Sequence, residues 1–135
     1  MSVGAWDPSQ SADNDSFVID PVQLKQFIAL NDEDKLGDIN ARLSDEIVTA
    51  QAALMTQSKE RWFDAAQSLE NEQVISLIRF FTLAEMQLSG WEAGSESPVI
   101  WLTKVLRQRK APPDKALLMW IRENSDNRFI PNGAL

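Results

Sequence analysis

Residues 71–88 and 98–110 constrain this chain most, because each is apolar around most of its circumference when wound as a helix. At roughly 100° per residue, Val74, Leu77, Ile78, Phe81 and Leu88 crowd one side of the first stretch, Phe80 and Leu83 fall on the far side, and Ile75 and Met86 lie between. In the second, Val99, Ile100, Trp101, Leu102, Val105 and Leu106 cover most of the wheel. A helix apolar nearly all round cannot face water and is expected at the centre of a shared interior. With no long alternating β-branched run, the prediction is an all-α, single-domain bundle of five to six helices, with 71–88 and 98–110 central and mostly buried. A length of 135 residues suits one such domain.

Start signals place the remaining helices. Asp20-Pro21 offers a capping carboxylate followed by a proline suited to the first helical position, and Ser97-Pro98 repeats the device. Ser58 is the expected cap of a helix bearing Trp62, Phe63, Ala66 and Leu69, and Asp114 opens one bearing Leu117, Leu118, Trp120 and Ile121. Between 31 and 54 the apolar residues Leu36, Ile39, Leu43, Ile47, Ala50 and Leu54 fall on one narrow helical stripe. That spacing predicts a long second helix with a seam for a partner helix, within the fold or across a homodimer through Leu36, Leu43, Ile47 and Leu54. Residues 1–19 are polar and aperiodic apart from Trp6, and are expected to be a flexible acidic tail ahead of a helical domain over 20–135.

Charge and residue type narrow the function. The net charge is −7, which disfavours a nucleic-acid or anionic-membrane partner for the chain as a whole. Its distribution is uneven: residues 1–60 hold 4 Lys/Arg against 11 Asp/Glu, and residues 97–135 hold 7 against 3. The basic cluster Lys104, Arg107, Arg109 and Lys110 closes a helix, where cations suit the dipole, and is expected to be a solvated end rather than a phosphate track. The chain has neither Cys nor His, so thiolate and imidazole chemistry are absent, and no metal or cofactor is expected. Asp32-Glu33-Asp34 with Gly37 fails as a calcium loop because Leu36 and Leu43 stand where oxygen ligands belong. With no secretory leader and no membrane-length apolar run, the expectation is a soluble, cytoplasmic protein.

Glu85 is the sharpest candidate. It falls between Val74 and Ile78 on the wheel, a carboxylate in the centre of an apolar face. The structural expectation is a buried ion pair or hydrogen bond, with Arg122, Arg128 or the Trp91 indole as partner; the functional alternative is an acid in a pocket. Trp91 and Glu92 lie in a loop between Gly90 and Gly94, where Trp91 is expected to plug the bundle end. Asp126-Asn127-Arg128-Phe129 follows the last helix as a tail anchored by Phe129. The sequence names no substrate. It favours a non-enzymatic protein acting through a protein partner or self-association, with a small-molecule site around Glu85, Trp91, Glu92, Asp126 and Arg128 as the alternative.

Overall fold

The computed structural model describes residues 17–131, so residues 1–16 of the tail expected over 1–19 lie outside the described residues. Seven α-helices and no strand are present among them. They are α1 (Pro21–Asp32), α2 (Ile39–Arg42), α3 (Asp45–Gln51), α4 (Lys59–Ala66), α5 (Asn71–Gln87), α6 (Pro98–Gln108) and α7 (Lys115–Asn124). The expected starts hold. The side chains of Asp20, Ser58, Ser97 and Asp114 accept from the backbone N–H groups of Val22, Arg61, Val99 and Leu117 at 2.9, 3.2, 3.2 and 2.8 Å. These bonds satisfy donors that a helix start otherwise leaves open. Ahead of α1, residues 17–20 lie outside any helix, and the carbonyl of Phe17 accepts from Arg61 Nη1 at 2.7 Å.

The extra helix arises where the sequence pattern promised a single long one. The 31–54 stripe is broken into a 3-10 turn at Leu36–Asp38, α2, α3 and a second 3-10 turn at Ala52–Thr56. Leu43 is extended at φ −118°, ψ 140°, and Ser44 caps α3 by accepting from Ile47 N at 3.2 Å. Asp45 and Glu46 then fill the first turn of α3, where carboxylates suit the helix dipole. The break exposes backbone groups that α5 satisfies from across the core. Gln87 Oε1 accepts from Ile39 N and Gln87 Nε2 donates to Leu36 O, both at 2.8 Å. Leu36, Ile39, Leu43 and Leu54 are buried in the chain's own core, while Ala50 is exposed. The seam drawn for a homodimer therefore does not exist as a helix face.

The two helices expected at the centre are there. α5 packs against α1, α2, α6 and α7, and α6 packs against α4 and α5. Phe27 of α1 stacks on Phe80 of α5 at 4.1 Å between ring centroids, and Trp91 meets both rings edge-on at 6.3 and 6.1 Å. Trp62 of α4 reaches Phe81 edge-on at 5.4 Å. Such offset and edge-to-face pairs add stabilisation beyond buried area. The basic end of α6 is partly structural: Arg109 donates to Ala66 O at 2.7 Å and Leu69 O at 2.9 Å, which closes the carbonyl end of α4. Beyond α7, residues 125–131 run back over the body as a strap. Ile130 is buried, and the Thr103 hydroxyl lies 3.0 Å from the Pro131 carbonyl. Among the described residues no helix is long and apolar enough to cross a membrane.

Candidate functional site

Glu85 sits in the last turn of α5 on the face that carries Val74, Ile78 and Phe81, and only 9% of it is exposed. Its burial agrees with the helical wheel, but none of the partners proposed for it is the right one. Oε2 accepts from the backbone N–H groups of Ala93 and Gly94 at 2.8 and 3.1 Å. Asn127 Nδ2 donates to Oε1 and Oε2 at 3.0 and 3.2 Å, and also to Gly94 O at 2.9 Å. Asn127 Oδ1 accepts from Phe129 N at 2.9 Å, which fixes the direction of the amide. One carboxylate and one amide thus join three separate segments: the end of α5, the 88–97 loop and the strap. Gly94 takes φ +56°, a left-handed conformation that residues with a Cβ rarely adopt, and so turns its N–H toward the acid. The arrangement is that of a capping acceptor at a chain junction, with both oxygens already engaged.

Trp91 is part of the core, as expected of a plug at the bundle end, and not of the groove's lining. It is fully buried, and its indole Nε1 donates to Val48 O at 2.9 Å, tying the loop to α3. Arg128 does not reach Glu85; its guanidinium carbon lies over the Phe129 ring at 5.3 Å from the centroid. Glu92, Asp126 and Arg128 are exposed and do converge on the junction, lining an open groove of about 430 Å³ with Met86 and Phe129. Met86 is 44% exposed, and its Sδ accepts from Asp126 N at 3.4 Å. A smaller cleft of about 260 Å³ adjoins it across Asp126–Arg128 and is lined by Arg122 and Ser125 as well. Asn127 is the residue that sequence reasoning missed. It stood within a flagged polar run, but nothing local marks it as the partner of a residue 42 positions earlier.

The chemistry open to this surface follows from these bonds. Glu85 lies in the groove's wall with its oxygens turned into the junction. Exposed Glu92, Asp126 and Arg128 bring charge to the groove's lining, and Met86 and Phe129 bring apolar surface. Among the described residues no group of three His, Cys, Asp or Glu side chains is placed to hold a metal ion. A second hollow, of about 440 Å³, lies between Phe17–Ile19 and Arg61, Asp64 and Ala65 of α4, and contains none of the candidate residues. No protein-family model, no curated protein and no solved structure matches the chain.

Proposed function

We propose that this chain is a cytoplasmic protein-interaction module that acts by binding rather than by chemistry, and that the groove at the strap receives an apolar side chain of a protein partner. The observation that carries the reading is the groove's construction. Its walls are the α5 end, the 88–97 loop and the strap, held in fixed relation by the Glu85–Asn127 junction. A preorganised recess loses little conformational freedom on binding, which favours affinity. Exposed Met86 and half-buried Phe129 supply polarizable and aromatic surface of the kind enriched at interface centres, and exposed charged groups share the lining with them. The same bonds argue against Glu85 as a general acid, because its oxygens already face three donor groups.

The test is selection of a displayed library of random peptides on the intact chain, followed by titration of the selected peptides into protein labelled at the methionine methyls. Selected peptides should shift the Met86 methyl, leave buried Met55 unmoved, and bind at least tenfold more weakly to Met86→Glu, a change at an exposed position that should not disturb the fold. Failure to select any peptide, or peptides indifferent to Met86→Glu and Phe129→Ala alike, would remove the groove as the interaction site.

A further inference from the structure

The geometry points to a second copy of this chain as the groove's occupant, docked through the outer face of α7; this rests on the groove being an interaction site. Leu117 and Ile121 turn α7 inward, leaving Lys115, Met119 and Arg122 exposed within about 60° of one another at roughly 100° per residue. Met119 is 50% exposed, a large apolar side chain standing between two cations. The groove carries the opposite sign: apolar Met86 and Phe129 line it together with the carboxylates of Glu92 and Asp126. Neither Lys115 nor Arg122, nor either of those carboxylates, is in an ion pair among the described residues. The minority charges match as well, with Glu123 beside Met119 and Arg128 at the groove.

The two surfaces adjoin on one molecule. Asp126 follows α7 by two residues, and the cleft lined by Arg122 shares Asp126 and Arg128 with the groove. A patch with a cationic apolar half beside an anionic apolar half is self-complementary under a two-fold axis: Met119 of each copy meets the groove of the other, and both contacts form at once. Closed symmetry of this kind is the commonest way for a single chain to associate. The helix-centred contact supplies the apolar area, and the flanking charges select register and weaken as salt rises.

Sedimentation equilibrium on the full chain and on two charge-reversed variants tests this. One variant carries Lys115→Glu and Arg122→Glu; the other carries Glu92→Lys and Asp126→Lys. All four positions are exposed, and circular dichroism checks that each variant folds; if one does not, Met119→Glu alone replaces it, should weaken self-association by about a hundredfold, and the mixture is not read. The native chain should dimerise. Each variant alone should be monomeric at the same concentration, because like charges then oppose. Their equimolar mixture restores both pairings and should recover the dimer to within about tenfold of the native dissociation constant. A native chain that stays monomeric, a dimer untouched by either variant, or a mixture that fails to reassociate would overturn the assignment. If the native chain is monomeric yet library peptides still move the Met86 methyl, the groove stands and only the second copy falls; if neither is seen, both fall.

Discussion

Replacing Glu85 by leucine removes the acceptor shared by Ala93 N, Gly94 N and Asn127 Nδ2 while keeping side-chain bulk. A hydrogen bond to a charged acceptor contributes about 1.5–3 kcal/mol where the abandoned donor stays dry, and nearer 1 kcal/mol where water can replace the acceptor. The junction opens on the groove, so water reaches it, and three donors at about 1 kcal/mol each give a loss of about 3 kcal/mol. Leucine returns about 1 kcal/mol through its apolar surface, leaving a net destabilisation of about 2 kcal/mol. Glutamine is the informative contrast. Its carbonyl can still face Ala93 and Gly94, but its NH₂ then confronts Asn127 Nδ2, which cannot turn round without losing its bonds to Gly94 O and Phe129 N. Glu85→Gln should therefore cost about 1 kcal/mol, one donor being left unmatched. Urea unfolding reads this order directly: at a slope of about 2 kcal/mol per molar, the midpoints should fall by about 1 M for leucine and about 0.5 M for glutamine. Amide exchange at Ala93 and Gly94 should quicken in both variants. If Glu85→Leu were as stable as the native chain, the junction would not be a structural element and the reasoning from its bonds would be wrong.

Other outcomes follow from single contacts. Arg109→Ala should destabilise by about 2–3 kcal/mol, since three acceptors around the α4–α5 connection lose one guanidinium, and Arg109→Lys should recover less than half of it; thermal unfolding compares the three. Trp91→Phe should cost about 1–2 kcal/mol, keeping an aromatic ring against Phe27 and Phe80 but losing the bond to Val48 O, whereas Trp91→Ala should cost about 3–5 kcal/mol in the same urea assay. Lys35 holds the Glu33 carboxyl below its ordinary value, through a hydrogen bond first and its charge second. Because that value is depressed in the folded chain, the favourable contribution is present above the ordinary carboxylate range and is lost as pH falls through the lowered value. Lys35→Ala should move the Glu33 titration upward when followed by carboxyl NMR, and an unchanged titration would show that Lys35 is not the cause.

The parts of the fold legible in the sequence are those set by local chemistry. Asp20-Pro21, Ser58, Ser97-Pro98 and Asp114 open helices because a short side chain and a fixed backbone angle act within one turn. The apolar surrounds of 71–88 and 98–110 likewise place α5 and α6 in the interior. The 31–54 stripe misled because apolar spacing shows which residues turn inward, not whether the backbone between them is continuous. Ser44-Asp45-Glu46 is a competent helix start inside that stripe, and Gln87 pays the backbone cost of the break from 48 residues away. The site divides in the same way. Glu85's burial is written in the wheel, but its partners are two backbone amides turned by Gly94 and a distant Asn127, and a backbone donor leaves no mark in a residue pattern. Glu92, Asp126 and Arg128 reach one groove only because the strap folds back across the end of α5.

A dilution series of the native chain labelled at the methionine methyls tests the central claim most directly, because it observes both halves of the proposed contact in one sample. The Met86 and Met119 methyl resonances should move together on dilution and fit one dissociation constant, with the buried Met55 methyl unmoved as an internal reference. Methyl shifts of Met86 and Met119 that do not depend on concentration, or a response from one of the two alone, would contradict a face of α7 seated in the groove of a second copy.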